Sequence, residues 1–301
     1  MANERQRLTA ADFPREVLTL FDRYVHGDID RRGFLRDAAA VVGSVAAASA
    51  ALELLRPDFA SAQVVDPADP RIRISQRSIT SPEGSGSINA YIAEPVDASP
   101  EHKKPVVLVI HENRGLNPHI EDIARRLAAD GFIAVAPDAL TALGGYPGDE
   151  DSARTLFGQL DQAKIRVDLL AAARFAETIE HGNGKLGAVG FCYGGGIVNV
   201  LATQMPSLRA GVAFYGAPPP LEDVPKIKAE MLIQHGANDT RLIGSWPAYQ
   251  QALDAAGTTY RGYVYPNGEH GFNNDTTPRY NAEIAALAWG RTIELFRRTL
   301  A

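Results

Sequence analysis

The single cysteine of this chain sits in Gly190-Phe191-Cys192-Tyr193-Gly194-Gly195-Gly196. An apolar run at residues 186–191 precedes it and a helical pattern at 195–204 follows. Gly-x-nucleophile-x-Gly between strand and helix marks a sharp turn that lifts a nucleophile above a sheet edge, here with cysteine where serine is usual. Glycine is needed at both flanks, because a side chain there would collide with neighbouring backbone. The helix start behind the cysteine favours a thiolate over a thiol. Out of context a free cysteine reads as a small buried hydrophobe. Strand, turn and helix together reverse that reading and point to attack on a carbonyl carbon.

A thiolate nucleophile needs a base, and the base needs an orienting group. In a sheet of this kind the acid follows a later strand and the histidine comes last. The run at 231–235 ends in Gly236-Ala237-Asn238-Asp239, and the run at 260–265 leads to Pro266-Asn267-Gly268-Glu269-His270-Gly271-Phe272. Each residue alone is weak, since loop aspartates are turn formers and loop histidines are usually surface residues. The order Cys192, Asp239, His270 agrees with one geometry. The oxyanion donors expected are the backbone amide of Tyr193 and one from the loop His111-Glu112-Asn113-Arg114-Gly115, with Asn113 the choice. Tyr215 is a candidate pocket wall.

The elements that must position these residues follow from hydrophobic periodicity. Residues 71–77 and 87–93 alternate and flank a turn-rich stretch, so they read as a hairpin. Continuous apolar runs at 105–110, 132–136, 186–191, 210–214 and 231–235, with a last strand at 260–265, read as buried strands. Helical patterns at 119–130, 149–157, 164–179, 195–204, 245–256 and 277–300 separate them. The expectation is one α/β domain over 63–301: a mostly parallel eight-stranded sheet, antiparallel at its start, with helices on both faces.

Other motifs fail on context. Gly182-Asn183-Gly184-Lys185-Leu186-Gly187 spells a dinucleotide fingerprint but precedes a strand, so it reads as a flexible loop. His111-Glu112 lacks the second histidine of a zinc-binding His-Glu-x-x-His, because position 115 is glycine. One cysteine excludes an internal disulfide and a cysteine-rich metal centre. A net charge of −6 argues against a nucleic-acid partner. No metal or cofactor is expected; the partner expected is a small-molecule ester or lactone.

These residues resemble the dienelactone hydrolase (carboxymethylenebutenolidase-like) family of α/β-hydrolases. The resemblance runs from about residue 75 to the C-terminus. It rests on Val109-Ile110-His111-Glu112-Asn113-Arg114-Gly115-Leu116-Asn117, Val135-Ala136-Pro137-Asp138, the Gly-Phe-Cys-x-Gly-Gly element, Gly236-Ala237-Asn238-Asp239 and Glu269-His270-Gly271-Phe272. It implies an esterase that opens an enol lactone without a metal, through a cysteine nucleophile in a catalytic triad. It also implies that Glu112 lies beside Cys192 and helps switch it from thiol to thiolate. The chain departs from the family in its substrate arginines: none follows His270 until Arg279. Arg114 and Arg241 are substitutes that no motif supports. A non-catalytic ligand-binding or accessory protein on the same scaffold is the alternative of a different class.

Residues 1–62 differ in character, with 8 arginines, 9 acidic residues and no lysine. Phe13, Val17, Leu20, Phe21 and Tyr24 recur at helical spacing up to Gly27. Arg31-Arg32-Gly33-Phe34-Leu35-Arg36 then precedes an alanine-rich stretch that ends in Ala60-Ser61-Ala62. This resembles a twin-arginine (Tat) signal, which implies export machinery as a partner and a periplasmic location. The alternative is a helical arm retained on a cytoplasmic protein.

Overall fold

The computed structural model describes residues 7–60 and 62–301. Eight strands form one sheet in the order β1-β2-β4-β3-β5-β6-β7-β8. The strands are β1 (Ile72–Ser81), β2 (Gly86–Pro95), β3 (Lys104–Ile110), β4 (Ile133–Asp138), β5 (Gly182–Phe191), β6 (Ala210–Phe214), β7 (Glu230–Gly236) and β8 (Tyr260–Tyr265). The first two pairings, β1 with β2 and β2 with β4, are antiparallel and the rest are parallel.

The central strands are apolar on both sides because both faces are covered. On β3, Val106, Leu108 and Ile110 enter one core and Val107 and Val109 the other. The first core holds α6 (Gln162–Glu177), α7 (Tyr193–Gln204) and α8 (Thr240–Ala256) through Ile165, Leu201 and Leu253. The second holds α4 (Pro118–Ala129) and α9 (Ala282–Leu300) through Ile123 and Phe296.

Three boundaries differ from the periodicity reading. The Gly182-Asn183-Gly184 stretch is the start of β5, not a loop, and Gly182 pairs with Lys104 of β3. Helix α8 starts at Thr240 rather than at residue 245, with Pro247 inside it, because the Asp239 carboxylate caps the Leu242 amide. Helix α9 starts at Ala282 rather than at residue 277, capped by Asn281; residues 273–277 form a buried loop instead.

Before the sheet, α1 (Arg15–His26), α2 (Arg31–Val42) and α3 (Val45–Leu54) enclose their own apolar cluster, with Val17, Phe21, Tyr24, Phe34, Ala38, Leu52 and Leu55 buried. Among the described residues no single helix is long and apolar enough to cross a membrane; α2 and α3 meet at 110°. This helical arm docks over the carboxyl ends of the strands. Val25 O accepts from Asn113 Nδ2 at 2.8 Å and Tyr24 Oη donates to Asp151 at 2.7 Å. Arg15 pairs with Glu269, and Arg31 and Arg56 pair with Asp151. Exposed ion pairs contribute only about 0–1 kcal/mol each, whereas a fully buried large apolar side chain contributes about 1.5–3 kcal/mol. The apolar cluster therefore holds the arm together, and the polar contacts decide where it sits.

Candidate active site

Cys192 stands between β5 and α7 with φ 54° and ψ −112°. That left-handed backbone costs about 1–3 kcal/mol for a residue with a side chain and occurs where surrounding structure enforces it. The enforcement is visible. A Cβ on Gly190 would overlap the carbonyl of Gly194, and one on Gly194 would overlap that of Ile110. The turn thus packs backbone against backbone, and no other residue fits at either flank. Tyr193 opens α7, so its amide is one of those that a helix start leaves without an intrahelical acceptor. Asn113 lies in the β3–α4 loop and lines the same cleft as Cys192, His270, Glu112 and Arg114.

Asp239 and His270 meet directly. The buried Asp239 Oδ2 accepts from His270 Nδ1 at 2.5 Å, which fixes the proton on Nδ1 and leaves Nε2 free. His270 Nε2 is buried without a hydrogen bond and points into the group formed with Cys192. The Tyr215 ring stacks obliquely 5.0 Å from the His270 ring, and its backbone also has positive φ, 38°.

A third side chain completes the group. His26, the last residue of α1, places Nε2 3.4 Å from Cys192 Sγ, and its ring lies 4.7 Å from that of His270. Two imidazoles in contact with each other therefore face the sulfur. Burial opposes ionisation of Cys192, but the facing charges of His270 and His26 outweigh it and draw the thiol down to about 6. Reciprocally, burial opposes protonation of both histidines, yet the thiolate and their carboxylates raise His270 to about 10 and His26 to about 9.

Cys192 Sγ and one nitrogen each of His26 and His270 lie within 4.8 Å of one another. A sulfur with two imidazole nitrogens is a donor set that suits zinc. The Arg241 guanidinium, however, lies 3.1 Å from the same His26 Nε2. This exposed guanidinium and a metal ion would compete for the same nitrogen lone pair, whereas a proton can be exchanged there when the arginine swings away. Sequence spacing showed no metal pattern here, since these three residues are brought together only by the fold.

The remaining candidates fall out unevenly. Glu112 lines the cleft, but its Oε2 accepts from Asn274 Nδ2 at 3.0 Å; the imidazole at hydrogen-bond distance from the sulfur is His26. Arg114 is buried with NH1 committed to Asn113 and NH2 to Val25 O, so its guanidinium braces the arm. Arg279 belongs to the cleft lining after all, 3.5 Å from Asp22 and over the Phe21 ring. Arg241 lies beside His26 and, with Tyr193 and Tyr215, lines a second cleft that also reaches Cys192. His111 is a structural tie: Nδ1 donates to Glu112 O and Nε2 accepts from the Ala139 amide.

The sequence matches the dienelactone hydrolase family over residues 88–300. The chain belongs to the dienelactone hydrolase family. A second family, YqhI-like, matches residues 5–43. A provisionally named carboxymethylenebutenolidase of Synechocystis sp. is 33% identical over 247 residues, 76% of this chain and 99% of that protein. A provisionally named hydrolase fragment of Escherichia coli K12, YghX, is 47% identical over 114 residues, 38% of this chain and 96% of the fragment. The crystal structure of a provisionally named dienelactone hydrolase from Klebsiella pneumoniae superposes with a TM-score of 0.65 at 31% identity, covering 75% of this chain and 99% of its own. The family match begins at residue 88, so the dienelactone hydrolase resemblance belongs to the sheet domain and His26 comes from outside it.

Proposed function

We propose that this dienelactone hydrolase family member cleaves a carboxylic ester or lactone through a Cys192 thiolate. The observation that carries the reading is the conjunction at the sheet edge: a cysteine forced into a left-handed turn, faced by a histidine whose Nδ1 is held by Asp239 at 2.5 Å. Cys192 Sγ attacks the carbonyl carbon. The amides of Tyr193 and Asn113 are the donors suited to the developing oxyanion. Collapse expels the alkoxide and leaves a thioester. His270 takes a proton from water as that water attacks the thioester, and the sulfur departs.

Arg279 supports a substrate that carries a carboxylate. It lines the cleft, and its partner Asp22 leaves part of the guanidinium for a second anion. A panel of p-nitrophenyl esters and unsaturated lactones, with and without an acidic substituent, tests both parts. Hydrolysis that survives in pure Cys192→Ala sinks the mechanism, and absence of turnover by wild type on the whole panel would leave the scaffold as an accessory binding protein.

We further propose that residues 7–60 stay with the domain. Their packing supports this: Asn113, Arg114, Asp151 and Arg279 all contact the arm. The twin-arginine route carries folded proteins, so export of the intact chain agrees with it. Intact-mass measurement on protein from cytosolic and envelope fractions of its native host is the check. A mature species that begins at Gln63 would overturn retention.

A further inference from the structure

We infer that His26, delivered by the N-terminal arm, is a second catalytic base on Cys192, so that the site works with two histidine–aspartate pairs on one sulfur. The inference rests on the hydrolase reading above and extends it to a part of the chain outside the dienelactone hydrolase match.

Each imidazole has an aspartate behind its Nδ1. His26 Nδ1 lies 2.7 Å from Asp22 O and 3.4 Å from the Asp22 carboxylate, four residues earlier on α1. A carbonyl only accepts, so Nδ1 carries the proton and Nε2 is the nitrogen that exchanges one with Sγ. Asp22 in turn meets Arg279 at 3.5 Å, and His26, Glu112, Arg114, Cys192, His270 and Arg279 share one cleft, while Arg241 lines a second cleft that also reaches His26 and Cys192. Gly27, at φ 86°, ends α1 immediately behind His26 and turns the chain away. The imidazole is thus held by its own helix, by the Asn113 bond to Val25 O and by the apolar cluster behind α1.

Distance divides the labour. His26 Nε2 lies 3.4 Å from the sulfur, and His270, also within 4.8 Å of it, is the imidazole whose Nδ1 is held by the Asp239 carboxylate and whose Nε2 is left for water. His26 Nε2 holds the proton drawn from Cys192, so Sγ attacks the ester carbonyl as the thiolate of a Cys192–His26 pair, with Arg241 turned aside from the protonated nitrogen. On collapse of the tetrahedral intermediate, His26 gives that proton to the leaving alkoxide, which departs as the alcohol. His270 then removes a proton from water, and the hydroxide adds to the thioester carbon. The C–S bond breaks, the carboxylic acid leaves, and the proton on His270 passes by way of the sulfur to His26. One ester and one water become one acid and one alcohol, with the Cys192 thiolate and the His26 imidazolium restored.

The test separates acylation from deacylation in the full-length protein. Wild type, His26→Gln, His26→Ala and His270→Ala are followed by rapid-mixing release of p-nitrophenol from p-nitrophenyl acetate. Alkylation of Cys192 by iodoacetamide is measured across pH. Both His26 variants are expected to slow the p-nitrophenol burst by about 100-fold, the usual range for loss of a general base, while the slower steady-state phase stays near wild type until acylation limits it. Their alkylation curves move to higher pH. His270→Ala is expected to keep a burst and stall afterwards. His26→Gln fills the same space and can donate a hydrogen bond but cannot take the proton, so it separates chemistry from packing; a wild-type burst and a wild-type alkylation curve in that variant would overturn the inference. Because alkylation does not require ester turnover, a wild type that alkylates normally but hydrolyses nothing would instead overturn the hydrolase reading.

Discussion

The two halves of the cleft are built on different principles. Cys192, Asp239 and His270 come from the sheet domain and are fixed by the packing and hydrogen bonds of the strand ends that carry them. A turn packs backbone on backbone, a carboxylate caps α8, and a loop follows β8. Asp22 and His26 come from the arm, and what fixes them is docking: one apolar cluster, a few hydrogen bonds and exposed ion pairs. The lesson is that one site can combine groups positioned to a fraction of an ångström by the fold with groups positioned by an association that the protein carries out on itself.

The sharpest way to break this contrast is to remove a group from each half. Cys192→Ala is expected to lower esterase kcat by on the order of 10⁴–10⁶, read by initial rates on p-nitrophenyl esters. Asp239→Asn is expected to cost about 10⁴-fold, because it favours the wrong tautomer of His270. Asp22→Asn is expected to cost only about 10-fold, because the Asp22 carbonyl at 2.7 Å still holds His26 Nδ1 and only the charge is lost. Equal losses for the two aspartates would abolish the asymmetry between the halves.

Turns offer a second, smaller contrast. Gly194→Ala drives a methyl into the Ile110 carbonyl and is expected to prevent recovery of folded protein. Gly27→Ala meets nothing within 4 Å and bears only the strain of φ 86°, about 1 kcal/mol, which a thermal melt reads as a shift of a few degrees. The smallest effect is ionic. Raising salt from 0.1 to 1 M shortens the screening length from about 10 to 3 Å and is expected to slow the burst of wild type by about 2- to 5-fold as the Arg15 and Asp151 pairs weaken. The same change should leave the His26→Ala burst, which no longer uses the arm, unmoved.

The same division explains what the sequence revealed. The domain half was legible because its signals are local: glycines flanking Cys192, an apolar run before each functional loop, and the chain order of the three residues. The start of β5 was missed because Gly184 resembles a loop former, while Lys104 supplies the pairing partner from a distant strand. His26 was missed because nothing within α1 says where that helix docks, and its partner is 166 residues away. One signal was present. Asp22 and His26 at a spacing of four share a helix face, a carboxylate behind an imidazole. The first of the paired arginines that follow, Arg31, meets Glu53 and Asp151. Arg279 was set aside for its distance from His270, and the buried loop 273–277 brings it back.

The segment that joins arm and domain is itself pinned. The amides of Val64 and Val65 donate to the buried Asp122 carboxylate, and Arg125 and Arg126 hold the carbonyls of Val65 and Ala62. An arm that lifts off therefore remains within reach, at the millimolar effective concentration a short tether provides, and recaptures its place in a unimolecular step. Cutting the chain between Arg56 and Ala62 would change the order of that reaction. The arm would become a dissociable subunit, and the activity of the nicked protein would fall on dilution while that of the intact chain would not.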